Sequence, residues 1–226
     1  MSPFLALVLL ASPAHGAEDL SKLVPRIEQA YGGAEALARV GALRETGTLE
    51  SPRGVAKTVR VFAPPGRLRV EIVYPGGDSE VRVLDGRNGW RNGEQVVGPP
   101  RDAMVLQAAR LDLPVLLLRN RAALVDLGDV KRDGKILRGI GVPLGGKLNI
   151  AVTVDPKSAL IVRSEGALPG LAGQMRFATD YSDFRKVQGV LFAFHEDNFA
   201  SGQQTGVTRL EEIELLDAAP ESAFRP

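Results

Sequence analysis

The sequence predicts a mainly β protein with α elements: a large curled antiparallel sheet, a half-open barrel of about eleven strands, with an N-terminal helix and a helical insertion capping its concave face. Three observations predict it. From Leu43 onward the apolar period changes from helical to two. Pro-, Gly- and Asp-containing turns separate the alternating runs at hairpin spacing. One leucine-rich helical stretch, Pro99 to Asn120, interrupts the strand series.

The elements follow in chain order. Phe4 to Ala11 is a short uncharged apolar run followed by Ala14-His15-Gly16, the pattern of an export signal cleaved at Gly16/Ala17. The run is shorter than the ~20 apolar residues a spanning helix needs. The sequence therefore divides into a signal peptide, residues 1–16, and one domain, residues 17–226, which is expected to be periplasmic and unanchored. Asp19 to Val40 carries Leu20, Leu23, Val24, Ile27 and Tyr31 at spacings of three and four, with Asp19 as N-cap. Gly32-Gly33 breaks this helix, and a second short one ends at Val40.

The alternation is cleanest in Arg67 to Tyr74, where Leu68, Val70, Ile72 and Tyr74 alternate with Arg67, Arg69 and Glu71. Lys147 to Asp155 repeats the pattern. Pro64-Pro65-Gly66 and Pro75-Gly76-Gly77-Asp78 bound the first of these strands, and Asp133-Gly134 suits a two-residue type I′ turn. Pro99 to Asn120 reads as two helices split near Leu113-Pro114. Strands resume near Leu124 and run to Leu216. A sheet of this size must curl or split, and curling turns the apolar side of each strand inward.

Composition narrows the function. Of 226 residues, 28 are Lys or Arg and 27 are Asp or Glu, a formal net charge of +1, so no cationic excess points to nucleic acid. There is no Cys, which removes disulfides, thiolate metal sites and Cys nucleophiles. No cofactor or metal is expected. Gly141 to Leu148 has the G-x4-G-K spacing of a P-loop, but Leu148 stands where the hydroxyl is needed and a strand follows, so the segment reads as a hairpin turn. His195-Glu196-Asp197 places His195 and Asp197 on one face of a strand and Glu196 on the other; it reads as a surface cluster. Glu211, Glu212 and Glu214 read as a solvated face, with Val207, Ile213 and Leu215 sharing the side of Glu211. Arg60, Arg67, Arg69, Arg82, Arg87 and Arg91 form either a polar sheet face or a contact for lipid phosphate.

An order of motifs adds to this. Tyr31-Gly32-Gly33, then Pro64-Pro65-Gly66-Arg67-Leu68-Arg69, then Asp85-Gly86-Arg87-Asn88-Gly89-Trp90, with the helical insertion behind them and Phe192-x-Phe194 in a late strand, resembles the periplasmic lipoprotein-carrier superfamily, the LolA/LolB-like proteins. Among them it is most similar to divergent outer-membrane lipoprotein-sorting members. The resemblance implies an unclosed barrel whose cavity receives a lipid or lipoprotein acyl chains, and a membrane-bound release or acceptor partner. It implies a cavity lined by Leu68, Val70, Ile72, Trp90, Met104 and Leu106, joined by Tyr74, Val83, Phe177 and Phe192. Arg67 and Arg69 match the segment after the family's proline. The expected protein is a monomeric, non-enzymatic carrier; a periplasmic sensor or interaction module of the same fold is the alternative, and a small enzyme using the cavity a third.

Overall fold

The computed structural model describes residues 19–170 and 173–226; the expected export signal lies outside them. Helix α1 (Leu20–Ala30) starts at Asp19, whose Oδ1 accepts from the Ser21 N–H at 3.0 Å, and α2 (Gly33–Ala38) follows the glycine break. Six strands come next: β1 (Ala42–Ser51), β2 (Gly54–Ala63), β3 (Arg67–Val73), β4 (Ser79–Asp85), β5 (Gly89–Arg91) and β6 (Glu94–Val96). Helices α3 (Pro99–Leu111) and α4 (Val115–Arg119) form the insertion. Seven more strands complete the chain: β7 (Val125–Arg132), β8 (Lys135–Gly145), β9 (Leu148–Asp155), β10 (Leu160–Gly170), β11 (Gly173–Val187), β12 (Val190–Ala200) and β13 (Gln203–Leu216).

All thirteen strands belong to one antiparallel sheet, curled and unclosed. Its order is β6-β5-β4-β3-β2-β1-β13-β12-β11-β10-β9-β8-β7. The chain thus enters mid-sheet at β1, meanders to the edge strand β6, crosses through α3 and α4 to the opposite edge β7, and meanders back until β13 pairs with β1. The two strands beyond the expected eleven or so fit β5 and β6, three residues each, which are too short to show an alternation. Asp133 and Gly134 both have positive φ (49° and 72°), as the type I′ turn between β7 and β8 requires.

The helices fill the inner face of the curl. Leu23, Val24 and Ile27 of α1 pack on Ile140, Val142, Ile150, Val152 and Ile161 of β8–β10. Tyr31, the C-cap of α1, ties this end down: its hydroxyl accepts from the Ile161 N–H at 3.0 Å, and burial raises its pKa well above the usual tyrosine value. Met104 and Ala108 of α3 share a second cluster with Leu68, Val70 and Ile72 of β3, Phe62 and Leu84. At Gly166 a Cβ would stand 2.7 Å from both Leu106 methyl carbons, so glycine is what lets α3 sit directly on β10.

The middle of the inner face is polar, where the sequence predicts an apolar lining. Arg60 of β2 is only 6% exposed. It donates to both carboxylate oxygens of Glu196 on β12, at 2.7 and 2.9 Å, and its Nε lies 2.7 Å from Glu45 Oε2 on β1. Beside this triad, Asn198 donates to Thr208, and Thr179 donates to Asn198 while accepting from Arg110 of α3 at 2.5 Å. Ser164 and Tyr181 hydroxyls are 2.7 Å apart, and burial pushes Tyr181 up to about 12.

Strand parity fails at several bulges, two of which bear on the sequence reading. Between β1 and β13 the register slips so that Thr46 opposes Glu212 and Gly47 opposes Leu210, leaving Glu211 as the extra residue. Thr208 and Leu210 therefore face inward before the bulge and Ile213 after it, and Val207 does not share the side of Ile213. On β11, Asp183 (φ 52°) is skipped in the pairing with β12.

Candidate functional site

A cleft with a volume of about 1050 Å³ opens beside the helical insertion. It lies between α3–α4, three strand connections and the ends of two further strands. One side is made by the β2–β3 and β4–β5 turns (Pro65, Gly66, Gly86), the other by the β8–β9 hairpin (Pro143 to Leu148) and the adjoining ends of β10 and β11. Helix α3 contributes Arg101, Asp102, Val105, Ala108, Ala109 and Asp112, which recur at three- and four-residue spacing and form one stripe. Met104 and Leu106 flank this stripe and pack on the β3 side and on β10, while Gln107 and Arg110 on the opposite side meet Arg82 and Thr179 of the inner face. Helix α3 is therefore buried on one side in the core and lines the cleft with the other.

The cleft is amphiphilic. Val105, Leu116, Leu144, Leu148 and Leu168 supply apolar wall, and Arg101, Asp102, Asp112, Arg119 and Lys147 supply charge. Arg101 is engaged: Nε donates to the Arg87 carbonyl at 2.8 Å, and Nη1 lies 3.1 Å from Asp102. Arg119 of α4 pairs with Asp112 at the end of α3. Burial pushes Asp112 up to about 6, against the opposing pull of Arg119. Lys147 sits on the β8–β9 turn, exposed, and its ammonium has no partner among the described residues. The P-loop-like segment is thus a hairpin, in which Gly145 pairs with Leu148. No group of three or more His, Asp or Glu able to hold a metal occurs among the described residues.

None of the positions expected from the sequence to bind ligand borders this cleft. Leu68, Val70, Ile72, Tyr74, Met104 and Leu106 are buried inner-face or helix-core residues. Leu106 and Phe177 instead border a pocket of about 110 Å³ under α3, and Phe192 borders two still smaller ones. Register puts Arg69, Val83 and Trp90 side by side on the outer face, opposite to Leu68 and Leu84. Arg67 and Arg69 hold the C-terminal segment there. Arg67 pairs with Glu221 at 2.5 Å and lies 4.8 Å from the Phe224 ring centroid, and Arg69 donates to the Arg225 carbonyl at 3.2 Å. The six arginines do not share a face: Arg60 and Arg82 point inward, and Arg82 donates to Glu80 and to Gln107 of α3. His195 lies 3.4 Å from Asp197 at the surface, while Glu196 turns inward to Arg60.

Sequence reasoning missed the cleft because turns and one helix stripe line it, and neither carries strand alternation. The available signal was the i, i+4, i+7, i+11 series Arg101, Val105, Ala108, Asp112 on α3.

No family model matches the chain, and no curated relative matches its sequence. Its likeness is structural. A LolA superfamily protein from Nitrosomonas europaea superposes with a TM-score of 0.56 at 8% identity, over 92% of this chain and 97% of that one. The fold is LolA-like. A Vibrio parahaemolyticus domain described as an outer membrane lipoprotein-sorting protein (13% identity, 91% and 97% covered, TM-score 0.45) and a DUF1329 family protein from Desulfovibrio piger (10%, 91% and 95%, 0.46) are more distant in shape. In this LolA-like fold α3 and α4 occupy the mouth of the curl. No helix among the described residues is long and apolar enough to cross a membrane.

Proposed function

We propose that the chain is a periplasmic, non-enzymatic carrier that shelters the acyl part of a lipid or lipoprotein, exported by the signal at residues 1–16. The cleft carries this reading. Its volume of about 1050 Å³ is at the top of the ~300–1,000 Å³ span of small-molecule sites, and the apolar part of its wall is leucine, valine, alanine and proline. Each methylene it takes from water contributes about 0.8 kcal/mol, so one long chain is enough to drive binding. In this reading α3 and α4 are the movable cover. Leu68, Val70, Ile72, Met104, Leu106, Phe177 and Phe192 are the surface a larger cargo reaches when that cover lifts, and a membrane-bound acceptor takes the cargo.

The test is titration of a fluorescent fatty acid into the purified protein, together with mass spectrometry of its lipid extract. Val105→Trp places an indole in the cleft and is expected to abolish saturable binding while leaving the fold intact by circular dichroism. A wild-type protein that neither co-purifies with nor titrates any lipid overturns the proposal.

One observation favours a protein-interaction role as second reading. The edge hairpin β7–β8 exposes Val125, Leu127 and Ile136. Recovery of a membrane protein on immobilised chain, lost with Leu127→Asp and independent of lipid, would support it.

A further inference from the structure

The charge around the cleft is asymmetric. Three cationic side chains line it, Arg101, Arg119 and Lys147, against two carboxylates, Asp102 and Asp112. Both arginines already have a carboxylate partner, and Lys147 has none among the described residues. Lys147 is also held in place. The hairpin closes at the Gly145–Leu148 pair, so the lysine occupies a two-residue turn and its backbone is fixed at the cleft border. Leu144 and Leu148, on either side of the turn, belong to the apolar wall. An ammonium with no partner among the described residues therefore stands on a fixed backbone where apolar wall meets water.

We propose that Lys147 binds the anionic head group of an acyl amphiphile whose tail lies along Leu144, Leu148, Val105 and Leu116. This rests on the carrier reading above and specifies its ligand class: a single-tailed or larger lipid bearing a carboxylate or a phosphate, in preference to an uncharged one. An ammonium recognises either anion as a point charge. Asp112 offers an incoming anion little net repulsion, because Arg119 is paired with it.

The experiment compares three ligands with the same acyl chain, each below its micelle concentration: the fatty acid, the lysophosphatidate and the uncharged monoacylglycerol. Affinities are measured by calorimetry on the wild type, on Lys147→Gln, and on Lys157→Gln as a control on the β9–β10 turn outside the cleft. The wild type is expected to bind the acids about two- to fivefold more tightly than the monoacylglycerol, the worth of one exposed charge pair. Lys147→Gln should remove that preference and leave monoacylglycerol affinity unchanged; Lys157→Gln should change nothing, and added salt should shrink the preference. The ranking of the two acids shows whether carboxylate or phosphate is the better head group. Equal binding of all three ligands to the wild type, or an equal loss of all three in Lys147→Gln, overturns the head-group assignment and leaves the carrier reading standing. Failure of every ligand to bind the wild type overturns both.

Discussion

Arg60 and Glu196 hold each other through two hydrogen bonds, 2.7 and 2.9 Å long, although β1 and β13 lie between their strands. On a flat sheet, strands three places apart are separated by roughly 14 Å. The two side chains meet because the sheet curls around them, aided by the β1–β13 bulge. The pair is thus both a product of the curl and a clamp on it, with Glu45 as third member. Burial and the neighbouring Glu196 charge raise Glu45, while Arg60 keeps Glu196 ionised below its usual range.

Removing the cation leaves two carboxylates buried together. Arg60→Met is expected to cost about 3–5 kcal/mol at pH 7. The loss should shrink toward pH 4, because protonation relieves the stranded charges. Urea melts of wild type and variant at pH 4, 5 and 7 check this; a cost independent of pH would mean that packing, not charge, is what Arg60 supplies.

Asp112 has a folded-state pKa of about 6, above its unfolded value of 3.8. Between these values the folded chain holds a proton that the unfolded chain has released. The contribution is full below about pH 4 and lost as pH rises through 6. Wild type should therefore lose stability across that window relative to Asp112→Asn, by an amount on the order of 1–3 kcal/mol. The difference between their urea midpoints, followed from pH 4 to pH 7, measures it.

The contact of Gly166 with Leu106 predicts a compensating pair. Gly166→Ala drives a methyl into the leucine and should cost about 1–3 kcal/mol. In the double variant with Leu106→Ala, the cost of the glycine change should largely disappear, which a double-mutant cycle reads as coupling.

The C-terminal segment separates packing from charge. Phe224 is buried against Ala42, Ala63 and Ala219 on the outer face, whereas Glu221 is mostly exposed. Phe224→Ala should cost about 3 kcal/mol. Glu221→Gln should change stability by less than about 1 kcal/mol. Thermal melts of the two variants make the comparison; equal losses would show that the Arg67–Glu221 pair holds the segment.

Much of the sheet was legible because Leu68, Val70 and Ile72 state their face by alternation, and because Asp133-Gly134 dictates its own turn. The insertion at Pro99 to Asn120 stood out by its change of period. Faces became illegible wherever an extra residue intervened, as at Glu211 and Asp183, since one bulge inverts every later parity. Trp90 shows another limit: it lies on a three-residue strand, and which face it takes depends on pairing with Val83, a non-local fact. The Glu45–Arg60–Glu196 triad was hidden for the same reason. Arg60 sits in a polar-looking strand, and nothing local says that one acid opposes it on the next strand and another waits across the curl. The cleft is the extreme case, since turns remote in sequence assemble it.

The route of the chain from β6 to β7 has a mechanical consequence. Those are the two free borders of the sheet, and residues 97–124 are the only covalent link that runs directly between them. They act as a tether across the opening, so the widest gape the molecule can reach is set by how far that stretch pays out. Insertions there would loosen the jaw and deletions would clench it, without altering a single strand.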